Sequence, residues 1–332
     1  MQTRKLGSTG PQVSQLGLGL MGMSDLYGPA DRAESLATIH AALEAGITLL
    51  DTGDFYGMGH NELLLREALA AGGRDRVRIS VKFGALRGPD GAWSGIDNRP
   101  AALRNFLGYS LQRLGVDHID IYRPARLDPA VPIEDTVGAM AELVKAGYLR
   151  HIGLSEVGSE TLRRAHAVHP IADLQIEYSM ISRGIEDGIL QTCRELGIGI
   201  TAYGVLSRGL ISGHWSPARA GEADFRSQAS PRFQGDNLNH NLALVEKVRA
   251  IAAELGVSVA QVAIAWVAAQ GQDIVPLVGA RTRARLQEAL GATGLTLSAA
   301  DLARLAQAVP PGAAAGARYN AHAVAALDSE KR

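Results

Sequence analysis

Asp51, Tyr56 and Lys82 stand at the ends of two consecutive apolar runs, in ITLLDTGDFYG (47–57) and ISVKFG (79–84). A phenol beside a carboxylate and an ammonium can hand a proton to a carbonyl oxygen at neutral pH. Tyrosine alone is a weak acid for that task, with an unperturbed pKa of about 10. A neighbouring Lys⁺ favours the phenolate and lowers that value, while Asp keeps the Lys charged and oriented. The expectation is a general acid, Tyr56, tuned by Lys82 and Asp51.

These residues need a frame, and the chain repeats one pattern: short apolar run, polar turn, helix-period segment. Strands are predicted at 16–19, 47–51, 77–82, 119–122, 150–155, 172–177, 198–203 and 273–279. Helices are predicted at 31–46, 99–115, 132–147 and 158–169, where Pro100 at a start and Gly115 at an end follow the usual asymmetry. Eight such units favour a single (β/α)8 TIM barrel over an open doubly wound sheet. The glycines of GLGLMG (17–22) lead into no helix, so they read as a loop near a ligand and not as a dinucleotide fingerprint. Residues 3–14 read as a β-hairpin plugging the barrel floor. Residues 204–239, with Trp215, Phe225 and Phe233 spaced along them, read as a long lid-like loop. Helices at 237–256 and 258–271 make one extra to the repeat, near the C-terminal end, and 311–332 form a tail. No composition shift divides residues 1–332, so one domain is expected.

In such a barrel the site lies at the C-terminal ends of the strands. That rule gathers Asp51, Tyr56, Lys82, Ala125, Arg126, Ser155, Glu156, Gln175, Tyr203 and Arg281 onto one rim. Singly, each has a blander account, since a Lys after a strand is usually solvated and an Asp there is often a cap. Jointly they mark a site. A formal net charge of −1 gives no general attraction to nucleic acid or membrane surfaces. The lone Cys193 forbids an intrachain disulfide, sits in an amphipathic stretch and reads as core packing in a cytoplasmic protein. No His/Asp cluster supports a metal-dependent hydrolase or isomerase, and the sequence leaves a homo-oligomer open.

Over essentially its whole length the chain resembles the aldo-keto reductases, on RKLGSTGPQVSQLGLGLMGMS, LLDTGDFYG, ISVKFG, RLGVDHIDIY, HIGLSE, QIEYSMISR, ITAYGVLSRGLISG, VPLVGARTRARLQEAL and GARYN. The resemblance implies NADPH-dependent reduction of a small-molecule aldehyde or ketone, with Tyr56 as acid beside Lys82 and Asp51. It implies that Tyr203 stacks on the nicotinamide, that Ser155 and Gln175 bind the carboxamide, and that Arg208 approaches the pyrophosphate. Gly19, Met21, Asp51, Gly204, Leu206 and Gly279 are implied along the same cofactor. Arg281, Arg283 and Arg285 also crowd a predicted helix start, which suits an anion such as the 2′-phosphate. Arg281 and Arg285, four apart, are the expected pair. Glu288 matches the family's adenine contact, whereas Ala289 replaces its usual Asn.

One departure stands out. Most relatives carry His in the stretch matching YRPARLDP, and here Ala125 occupies that position. Proton transfer then rests on Asp51, Tyr56 and Lys82, and the pocket gains room for a bulky or flat carbonyl, or an activated C=C. The pyridoxal reductases of this family look similar in lacking that His. His60, at a helix start, is a poor substitute, and His118 belongs at the barrel floor. Strand alternation turns either Arg123 or Arg126 inward, to clamp a substrate anion or to pair with Asp128. A weakly active, cofactor-binding regulatory subunit, resembling the potassium-channel β subunits, is the alternative to an enzyme.

Overall fold

The structure is a computed structural model that describes residues 1–24, 27–215, 226 and 230–331. The chain opens with an antiparallel hairpin of β1 (Thr3–Lys5) and β2 (Gln12–Ser14). Eight parallel strands then close a barrel: β3 (Gly17–Gly19), β4 (Leu49–Gly53), β5 (Arg78–Phe83), β8 (Ile119–Pro124), β9 (Leu149–Ser155), β10 (Ile171–Glu177), β11 (Gly199–Tyr203) and β12 (Ile274–Gly279). They pair in that order, and β12 returns to β3. Between β5 and the next helix a second hairpin intervenes, β6 (Ala85–Arg87) with β7 (Trp93–Ile96). The helices are α1 (Arg32–Glu44), α2 (His60–Leu69), α3 (Pro100–Leu114), α4 (Ile133–Lys145), α5 (Ser159–Val168) and α6 (Ile189–Leu196). They continue with α7 (Gly235–Glu254), α8 (Val259–Ala269), α9 (Arg283–Gly291), α10 (Ala299–Ala308) and α11 (Ala321–Ala325). This is the expected (β/α)8 barrel, and α7 with α8 before β12 is the expected extra helix.

Alternation along the strands sorts side chains between two cores. Leu50, Val81, Tyr122, Ile152, Leu174, Ile200 and Val278 pack outward in the large core with the helices. Leu49, Ile121 and Val275 join Leu6 and Val13 of the first hairpin in a separate apolar cluster that fills the barrel floor. The hairpin tip is pressed against the strand starts. Gly7 has φ +70°, and a Cβ there would lie 2.4 Å from the Ala172 carbonyl oxygen, so only glycine fits. Ser8 N–H donates to the Gly197 carbonyl (2.7 Å), while Arg4 donates to the carbonyls of Ala268, Gly271 and Ile274 near the end of α8. Above this floor the barrel interior turns polar.

The predicted lid divides into parts. Ser207–Ser212 and Pro231–Phe233 form 3-10 turns, and α7 starts at Gly235, inside the segment read as loop. Trp215 and Phe233 are buried against each other edge to face, 4.7 Å between ring centroids. Phe225 and the rest of 216–225, together with 227–229, lie outside the described residues. No single helix among the described residues is long and apolar enough to cross a membrane.

Candidate active site

Asp51, Ser80 and Lys82 sit at alternate, inward positions of β4 and β5, whose register sets Asp51 beside Ser80 and Gly53 beside Lys82. Asp51 Oδ1 pairs with Lys82 Nζ, and its Oδ2 accepts from Ser80 Oγ (2.8 Å) and, across the barrel, from Gln175 Nε2 (2.8 Å). All four are buried. Tyr56 is buried directly after β4, and Lys82 Nζ lies 5.1 Å from its ring centroid. Burial pushes the phenol well above its ordinary pKa; Asp51 adds to the push and Arg126 opposes it. The expected lowering by Lys82 is therefore overridden, because desolvation of a phenolate costs more than a neighbouring charge returns. Burial also draws the Lys82 ammonium down, against the pull of Asp51. The phenol keeps its proton at neutral pH and is poised to give it, not to take one.

A second buried pair lies across the barrel. Arg123 Nη2 meets Asp173 Oδ2 at 3.0 Å, and Thr201 Oγ1 donates to the same oxygen at 2.5 Å. Both partners are fully enclosed, and Arg123 Nε, Arg123 Nη1 and Asp173 Oδ1 have no hydrogen-bond partner among the described residues. Of Arg123 and Arg126, strand alternation turns Arg123 inward. Arg123 points into the barrel, while Arg126, beyond the strand end, acts on Tyr56, Tyr203 and Tyr319 at the mouth. Neither pairs with Asp128, which instead accepts from the backbone N–H groups of Asn98 and Ala130.

On the opposite rim the C-terminal tail closes over the strand ends. Tyr203 hydroxyl donates to Glu156 Oε1 (2.7 Å) and meets Tyr319 hydroxyl at 2.9 Å. Arg318 grips Glu156 with both ends of its guanidinium, at 2.9 and 2.5 Å, and Ser329 adds a further donor. Burial works to raise the Glu156 carboxyl, but these partners hold it down to about 2. Its backbone has φ +54°, a costly conformation for a non-glycine residue that the surrounding bonds fix. Arg208, also at positive φ, donates to the Arg318 carbonyl (2.7 Å) and lies 4.3 Å over the Tyr319 ring.

The sequence profile of the Aldo/keto reductase family matches residues 15–310. The chain belongs to that family. A probable aldo-keto reductase of Glycine max is 42% identical over 322 residues, 96% of this chain and 92% of that protein. A glycerol dehydrogenase from Gluconobacter oxydans superposes with a TM-score of 0.83 at 30% identity, over 93% of this chain and 96% of the other. An aldo-keto reductase from Bacillus halodurans, in its holo form, gives 0.78 at 25% identity over 97% and 99%. Membership implies oxidoreduction of small carbonyl compounds with a nicotinamide cofactor.

The residues expected to hold that cofactor fall into two groups. Gly19, at the end of β3, pairs in register with Asp51 and Gly279, and Met21 follows in a 3-10 turn. Ser155 Oγ is buried with no hydrogen-bond partner among the described residues, and Gln175 donates to Asp51. Gly204 has φ +65°, and a Cβ there would meet the Glu177 side chain at 2.9 Å, so the chain turns tightly toward Leu206 and Arg208. At the other end, α9 begins with Thr282 capping Arg285 N–H (3.4 Å). Arg281 donates to the Tyr27 carbonyl (2.7 Å), Arg283 forks onto Glu34, and Arg285 reaches Glu288 at 3.1 Å. Glu288 also meets His214 at 2.8 Å. All three arginines are thus engaged within the chain, Arg281 on backbone carbonyls and Arg283 and Arg285 on carboxylates.

Ala125 is buried, with its N–H on the Phe83 carbonyl, and brings no imidazole to the mouth. His60 is hydrogen-bonded to Ser24 at the start of α2. Sequence reasoning missed three features: the Arg123–Asp173 pair, the tail's grip on Glu156, and an aromatic wall beside Tyr56. In that wall Phe55 lies 4.8 Å from Tyr56 and 5.6 Å from Trp93, both edge to face. The Pro89-Asp90-Gly91 turn, flanked by ALR and WSGI, is the signal that could have found the hairpin carrying Trp93.

Proposed function

We propose that this chain reduces an aldehyde or ketone to the alcohol with NADPH, using Tyr56 as proton donor. The observation that carries the reading is the buried Asp51–Lys82 pair beside an enclosed, protonated phenol. Ser155, Gln175 and Tyr203 would hold the dihydronicotinamide, which would supply the hydride. As the carbonyl carbon gains that hydride, Tyr56 gives its proton to the oxygen, and Lys82 faces the phenolate left behind. Asp51 keeps the ammonium placed, and Ser80 and Gln175 fix Asp51. Arg281 and Arg285 at the start of α9 favour a 2′-phosphate, hence NADPH over NADH. A positioned acid contributes roughly 10²–10⁴-fold, so Tyr56→Phe should lose that much turnover while NADPH still binds. The test is NADPH oxidation with a panel of aldehydes and ketones, pyridoxal included. Ala125 favours a second reading, a cofactor-binding regulator of little activity; NADPH binding without turnover by either protein would establish it.

A further inference from the structure

Arg126 is an arginine at the mouth of the barrel with no carboxylate of its own. It is half-buried, and its only hydrogen bond among the described residues runs from Nη1 to the Ala125 carbonyl (2.6 Å). A guanidinium carries five N–H donors, so most of its capacity is unused. The nearby acids are already spoken for. Glu156 is gripped by Arg318 and Ser329, Glu177 accepts from Ser182 and lies 3.4 Å from Arg318, and Asp128 caps two backbone N–H groups. Asp51 is saturated by Lys82, Ser80 and Gln175. On one side the Arg126 charge bears on Tyr56 and Lys82, on the other on Tyr203, Tyr319 and, without a hydrogen bond, the Glu156 carboxylate. It is therefore within electrostatic reach of both the proton donor and the aromatic ring of β11. Phe55 and Trp93 extend the Tyr56 edge of that opening, and Trp93 is 52% exposed, as a core aromatic would not be.

We propose that Arg126 receives an anionic group of the substrate, so that the preferred substrate is an aromatic or conjugated aldehyde or ketone carrying a carboxylate or phosphate. The inference rests on the reductase reading and adds the substrate class. A planar guanidinium suits both anions bidentately, and in a partly dehydrated mouth such a pair is stronger than in water. With Ala125 in place of an imidazole, Arg126 is also the cation that orients the substrate.

The experiment compares matched substrates: 4-carboxybenzaldehyde against benzaldehyde, and a phosphorylated aldehyde against its dephosphorylated form, each at saturating NADPH. The wild-type protein should favour the anionic member roughly tenfold or more in kcat/KM, and Arg126→Met should erase that ratio mainly through KM. Arg126→Lys should recover part of it, showing that charge and not folding is at stake. Equal loss on charged and neutral members, no preference in the wild type, or a weaker NADPH Kd in Arg126→Met matching the lost preference would overturn the proposal. Turnover of neutral aldehydes without an anion preference sinks Arg126 alone. If no aldehyde is turned over, the reductase reading fails, and benzoate binding to the NADP⁺ complex decides: tenfold weakening in Arg126→Met supports the anion site, and equal binding overturns it.

Discussion

A buried phenol beside a buried ammonium can be shifted either way, and which effect wins fixes the direction of the chemistry. For Tyr56 burial wins, so the group is an acid over the whole neutral range and becomes a base only under strongly alkaline conditions. Carbonyl reduction should therefore stay level from about pH 6 to about pH 9, while alcohol oxidation climbs with pH across that span. Parallel pH profiles in the two directions would contradict this account. Asp51, Tyr56 and Lys82 were legible from sequence because each closes or follows an apolar run, where a barrel collects its chemistry. The sign of the phenol's shift was not legible, since it depends on how completely neighbouring elements exclude water. Ala125 was legible as a departure. An Ala125→His variant should raise turnover of a small neutral aldehyde if the missing imidazole is a chemical loss. Unchanged turnover with weaker binding of bulky carbonyls would instead mean that Ala125 serves shape.

Among the elements, the eight strands could be read because inward and outward residues alternate against bounded apolar runs. The hairpin of β6 and β7 could not, since its strands are three and four residues long and carry no buried residue. Arg123 and Asp173 escaped for a different reason: fifty residues separate them, and parity places each inside without saying that they meet. Their pairing makes a prediction about β8 and β10. Removing one partner of a buried ion pair leaves an uncompensated charge and costs about 3–5 kcal/mol, whereas replacing both costs far less. Arg123→Met should thus destabilise the barrel by that order in denaturant unfolding, and Arg123→Met with Asp173→Leu should recover most of it. The Arg123 charge also works to lower Lys82. A double variant as unstable as the single one would show that the pair matters through packing, not charge.

At the scale of the whole molecule two carboxyls of opposite behaviour bound the pH range in which the barrel is most stable. Glu156 is held down to about 2 from an ordinary 4.5, its burial outweighed by Arg318, Arg126 and Ser329. Between those values the unfolded chain binds more protons, so the contribution is complete above about 4.5 and is lost as pH falls toward 2. Asp54, two residues before Tyr56, is pushed up to about 8 from 3.8 by burial and by Glu62, with Arg113 opposing. Here the folded chain binds more protons over that interval, so stability declines as pH rises from about 4 to about 8 and then levels. Glu62 is itself raised by burial, against Ser110 and Arg113, so the Asp54–Glu62 neighbourhood relieves its crowding by holding a proton. An Asp54→Asn variant keeps the shape and removes the ionisation. Relative to wild type it should gain stability progressively between about pH 4 and pH 8, with a constant gap above that. Glu156→Gln should act at the other end, losing about 1.5–3 kcal/mol at neutral pH as the Arg318 grip weakens, with that deficit shrinking toward pH 2. Urea midpoints at about pH 3, 5, 7 and 9 separate the two limbs. A gap for either variant that stays constant from acid to alkali would show that its carboxyl does not titrate differently in the folded chain.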